Sequence, residues 1–76
     1  MNKKRYIANA EDLAFKLRRC RQEKGMIQKD MAKLLNVERS TYTYYELAKT
    51  TPSIFTLIEI SKVLNIDLNE IISINK

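Results

Sequence analysis

The stretch QKDMAKLLNVERSTYTYYEL, residues 28–47, decides how this chain folds. Read at 3.6 residues per turn, Met31, Ala32 and Leu35 share one face of a short helix over 28–35. Asn36 follows, a residue that tolerates the positive φ of a tight turn, and Val37 returns to the interior. A second helix over 39–47 turns Tyr42 and Tyr45 inward and leaves Ser40, Thr43 and Tyr44 toward solvent. The junction has steric demands that these residues meet: Ala32 is small where the helices cross, Asn36 accepts the turn, and Val37 plugs the corner.

Working outward toward the N-terminus, Asn9 is placed to cap a first helix, with Asp12 as the answering residue of a short capping box. Leu13, Ala14, Leu17, Cys20 and Arg21 share a face of that helix, and Gly25 stands where a left-handed residue would end it. An arginine on an apolar face is costly unless a carboxylate awaits it. Residues 1–8 carry Lys3, Lys4 and Arg5 without a periodic apolar face and read as a mobile basic arm. Toward the C-terminus, Pro52 and Ser53 form a loop and a cap. Beyond them Ile54, Leu57, Ile58, Ser61 and Leu64 set the period of a fourth helix that Asn65 can close. Asp67 with Glu70 three residues on reads as a capping box for a last helix. Leu68, Ile71, Ile72 and Ile74 make that segment strongly apolar, more than so small a core is expected to cover, and they are the expected homodimer interface. The expected architecture is all-α, a compact five-helix domain over residues 9–76.

Composition narrows the function. In 76 residues there is one cysteine and no histidine, so neither a disulfide nor a zinc site is available and no metal or cofactor is expected. The carboxylates sit on helix surfaces and at helix starts, and without histidine no acid–base centre assembles: the chain reads as no enzyme. No small-molecule ligand is evident. Cys20 falls on the inward face and reads as a core residue. A lone thiol suits a reducing compartment, and no long apolar stretch follows the N-terminal basic residues, so a cytoplasmic location is expected. Fourteen Lys+Arg against 9 Asp+Glu give a net charge of +5, which favours a polyanionic partner.

Two short helices joined by about three residues, the second polar on its outer face, allow one helix to enter a major groove while the other braces it on the backbone. With Leu17, Arg21, Gln28-Lys29-Asp30-Met31-Ala32, Leu35, Asn36-Val37, Ser40-Thr41, Glu46, Pro52-Ser53 and Leu64-Asn65-Ile66 in this order, the chain resembles the phage-repressor and Cro helix-turn-helix family over roughly residues 13–72. The resemblance implies a five-helix domain that binds double-stranded operator DNA as a two-fold dimer and regulates transcription. By the same resemblance Arg39, Ser40 and Tyr44 occupy base-reading positions of the third helix, with Thr43 as their neighbour. Gln28 matches a residue that contacts a phosphate and supports that helix, and Lys49 falls in a phosphate-contacting region. Arg21 and Glu46 match a largely buried ion pair, which would supply the carboxylate that the first helix demands.

The chain also departs from that pattern. Ile27 stands where a Ser or Thr cap is usual, Glu38 replaces the cap before the third helix, Ala48 replaces a common glycine, and Tyr42 is bulkier than the usual β-branched residue. Glu38 places a carboxylate near the expected phosphates. Two function classes stand at this point: a dimeric transcriptional regulator, or a protein-binding module of the same fold that holds a partner such as a toxin.

Overall fold

The computed structural model describes residues 5–74. Five helices follow one another along them, α1 (Ala10–Glu23), α2 (Gln28–Leu35), α3 (Arg39–Glu46), α4 (Ile54–Leu64) and α5 (Leu68–Ile72), flanked by two-residue strands β1 (Arg5–Tyr6) and β2 (Ser73–Ile74). The helical architecture is the expected one. Its ends are set by local chemistry. Asn9 accepts the Asp12 N–H at 2.8 Å, and Asp12 answers by accepting the Ala8 N–H at 3.1 Å, one residue before the position a capping box would use. Gly25, Asn36 and Asn65 take φ of 70°, 59° and 55°, the left-handed conformation that closes α1, α2 and α4.

The core lies between the five helices, each packed against at least two of the others. α3 packs against α1 and α2, α4 against α2, and α5 against α1 and α4. Leu17, Met31, Tyr42, Ile60 and Ile71 are fully buried, with Leu13, Cys20, Ala32, Leu57 and Leu64 around them. Every residue assigned to the inner face of α1 is buried, Arg21 included. Burial pushes the Cys20 thiol up from its ordinary pKa, which leaves it less reactive.

The structure corrects the sequence reading in four places. Ile54 is 52% exposed and Ile60 is buried instead, because Ile54 opens α4 while the row Leu57, Ile60, Ser61, Leu64 faces inward. Ser61 is accommodated there by donating to the Ile58 carbonyl at 2.6 Å. Asp67 caps α5 through the Asn69 N–H at 3.0 Å, so its partner is Asn69 and not Glu70. Ile71, expected on a dimer surface, is 0% exposed: the monomer core consumes it, and Leu68 and Ile72 are half-buried against the same core. Of Ile74 only the backbone is described, paired with Arg5; its side chain lies outside the described residues.

The fourth correction concerns the arm. Lys3 and Lys4 lie outside the described residues, but Arg5 and Tyr6 pair antiparallel with Ile74 and Ser73, and Ile7 donates to the Ile72 carbonyl at 2.8 Å while packing on the core. Residues 5–7 are therefore docked. A two-residue strand offers no period to read, so the sequence pattern carries no sign of it.

Candidate nucleic-acid interface

α3 is fastened from behind. Glu46 accepts Arg21 Nε at 2.7 Å and Nη2 at 3.0 Å, Gln28 Nε2 at 2.9 Å and the Tyr42 hydroxyl at 2.5 Å. Four hydrogen bonds, two to each oxygen, saturate an ionised carboxylate. Arg21 in turn donates Nη1 to the Met26 carbonyl at 2.8 Å, which ties the loop after α1 into the same junction. The side chains of the pair are 10% and 1% exposed. Burial pushes the Glu46 carboxyl up, but hydrogen bonds from Arg21, Tyr42 and Gln28, with the charge of Arg21, more than reverse it, and the group is held below the ordinary carboxylate range. Tyr42 is pushed up, first by burial and then by its bond to Glu46. The ion pair satisfies the carboxylate requirement of α1, and Arg21 is raised chiefly by its bond to Glu46.

The sequence pattern gives Tyr42 an inward, packing place, and the structure adds a role for its hydroxyl. The available signal was its spacing, since Tyr42 and Glu46 stand four apart on one helix face and can meet. Its ring fills the core while its edge completes the carboxylate shell, and it meets Tyr45 edge-on with centroids 6.0 Å apart.

Gln28 joins this buried cluster to the outer side of α3. Its Oε1 accepts the Thr43 hydroxyl at 2.8 Å while its Nε2 donates to Glu46. One amide thus spans α2 and α3 and commits the Thr43 proton. Arg39 and Ser40 are exposed at the start of α3, and Tyr44 is 44% exposed one turn further on. Among the described residues no side-chain hydrogen bond or ion pair engages Arg39 or Ser40. The structure therefore joins Gln28, Thr43, Glu46, Arg21 and Tyr42 in one network and leaves Arg39 and Ser40 outside it.

After α3 the chain reverses through Ala48, at φ 61° where only glycine is free of Cβ strain. The turn brings Lys49 and Thr50 N–H onto the Tyr44 carbonyl at 3.0 and 3.4 Å, and sets Lys49 Nζ 5.7 Å from the Tyr44 ring centroid. Neither Ile27 nor Glu38 caps its helix with a side-chain hydrogen bond. The first amides of α2 and α3 consequently carry no side-chain oxygen of their own, a favourable setting for an anion. Among the described residues no group of acidic, cysteine or histidine side chains is arranged to hold a metal, and no helix is long and apolar enough to cross a membrane.

These features have counterparts in known proteins. A helix-turn-helix family model matches residues 17–71. The HTH-type transcriptional regulator YqaE of Bacillus subtilis (strain 168) is 42% identical over 53 residues, covering 70% of this chain and 46% of that protein. YonR, an SPbeta prophage-derived HTH-type transcriptional regulator of the same organism, is 37% identical over 51 residues, 67% of this chain and 47% of the other. The chain thus spans slightly under half the length of both relatives. Among solved structures, the restriction-modification controller protein C.AhdI from Aeromonas hydrophila shares the fold with a TM-score of 0.77 at 24% identity, covering 82% of this chain and 94% of that one. A transcriptional regulator from Listeria innocua gives a TM-score of 0.71 at 28% identity over 90% of this chain and 59% of its own. With the two short helices, their turn and most of the chain inside the matched segment, this protein belongs to the helix-turn-helix family.

Proposed function

We propose that the chain is a sequence-specific DNA-binding transcriptional regulator, without catalytic activity, that occupies a pseudo-palindromic operator as a homodimer with α3 in the major groove. The observation that carries this reading is the asymmetry of α3: its inner side is locked to α1 and α2 through Glu46, while Arg39, Ser40 and Tyr44 stand exposed on the other. A reading helix has to be rigid in placement and uncommitted in its donors, and both conditions meet in these eight residues.

In this reading Arg39 and Ser40 face base edges at the N-terminal end of α3, with Tyr44 beyond them. Thr43, whose proton is committed to Gln28, offers its methyl group, suited to a thymine methyl. Gln28 retains one amide hydrogen for a phosphate beside the open start of α2, and Lys49 approaches the backbone from the following turn. The net charge of +5 assists encounter with the polyanion. The homodimer forms through the exposed parts of Leu68 and Ile72, which the monomer core covers only in part.

Selection of bound fragments from a random duplex library, with the mass of the complex measured beside it, tests the proposal. The expected outcome is one enriched pseudo-palindrome whose half-site centres lie about 34 Å apart, holding two chains. Replacing Leu68 and Ile72 by serine should leave a folded monomer with weakened operator binding. A library that stays unenriched, or one chain per site, would overturn it.

A further inference from the structure

We infer that Tyr44 is a positioning residue for Lys49, with its ring face as the seat from which the lysine ammonium meets a phosphate. The inference rests on the reading of α3 and the following turn as the DNA-binding surface, and assigns Tyr44 a task beyond a place on that surface. Two independent attachments support it. Through the left-handed Ala48, the Lys49 N–H is brought back onto the Tyr44 carbonyl at 3.0 Å, so the backbone of the lysine hangs on the tyrosine. Its ammonium then lies 5.7 Å from the centroid of the same ring, within cation–π range.

Among the described residues no carboxylate pairs with Lys49, so nothing competes with a phosphate for its charge. A lysine on four rotatable bonds loses much freedom when it grips a fixed oxygen. Held at both ends by Tyr44, Lys49 has lost part of that freedom before DNA arrives, and an ordered donor binds more tightly than a free one. The ring acts through its face, so the hydroxyl of Tyr44 is dispensable for this task. Phenylalanine would serve and leucine would not.

The test has two arms. In the free protein, NMR should show the Lys49 side-chain methylene protons shifted upfield by the ring, with the shift kept in Tyr44→Phe and lost in Tyr44→Leu. On random duplexes, which report phosphate contacts without base reading, Tyr44→Leu should weaken binding by about two- to fivefold per protomer, the size of an exposed cation–π contact. In a Lys49→Met background the same change should cost nothing further on random duplexes, where base reading plays no part. Thermal melts of each variant confirm that the fold is intact. An unshifted Lys49 in the wild type overturns the inference, as does a Tyr44→Leu loss on random duplexes of equal size in both backgrounds. If Lys49→Met leaves affinity and salt dependence unchanged, Lys49 meets no phosphate and the inference also fails. Arg39→Ala, measured on specific and random duplexes, reports separately on whether α3 reads DNA at all.

Discussion

The inner and outer sides of α3 come from the same eight residues and have opposite chemistry. Inside, Glu46 has every lone pair occupied and Tyr42 is wholly buried; outside, Arg39 and Ser40 have no partner among the described residues. The inner side therefore governs stability and the outer side governs binding, with Gln28 as the bridge between them. A second contrast sharpens the first. Arg21–Glu46 and Arg19–Glu23 are both arginine–glutamate pairs, but the side chains of the first are 10% and 1% exposed and those of the second 61% and 62%. Equal charges in unequal surroundings should behave very differently.

The largest effect is expected inside. Glu46→Gln strands the Arg21 charge and should cost about 3–5 kcal/mol, a large part of the stability of so small a domain. The Arg21→Met, Glu46→Leu double variant should lose less than the sum of its single losses, as urea titration followed by circular dichroism would show. The same pair sets an acid limit. Because the folded-state pKa of Glu46 is depressed, its contribution is complete above the unfolded carboxylate value near pH ~4.3 and is lost as pH falls through the lower folded value. The stability gap between wild type and Glu46→Gln should thus narrow with acidification below that point. A gap independent of pH down to the acid unfolding of the domain would contradict the assignment.

A smaller effect with the opposite sign is expected at the end of α3. Ala48 sits at φ 61°, so Ala48→Gly should stabilise the domain by about 0.5–1 kcal/mol despite the added freedom of the unfolded chain. A measured loss in thermal unfolding would mean that the turn holds no strain. Smallest of all, Arg19→Ala should change stability by no more than about 0.5 kcal/mol, the ordinary size of an exposed pair one helical turn apart. A cost approaching that of Glu46→Gln would erase the contrast between the two pairs.

Much of this was legible in the sequence where period and cap chemistry agreed. The inward row of α1, the left-handed residues Gly25, Asn36 and Asn65, and the helix pair α2–α3 all rest on local signals that packing did not override. The demand of Arg21 for a carboxylate followed from its position on an apolar face; that Glu46 would answer came from the family resemblance. Three features had no local signal strong enough to read. The β1–β2 ladder is too short for periodicity, and its register depends on residues at opposite ends of the chain. The burial of Ile71 is set by how α5 lies on α1 and α4, and composition alone overstated the apolar surface left over. Gln28 as a two-ended bridge depends on the crossing of α2 and α3, which no one-dimensional pattern contains.

The central claim is that the outer side of α3 reads bases while the inner side holds it in place. Its most direct test is a binding titration of wild type and Arg39→Ala over a library of sites varied one base pair at a time, with melting temperatures measured in parallel. Arg39→Ala should cost about 1–3 kcal/mol on the preferred site and flatten discrimination at one base pair per half-site, while its stability stays within about 0.5 kcal/mol of wild type. A variant that keeps the full wild-type preference at every position would contradict the account.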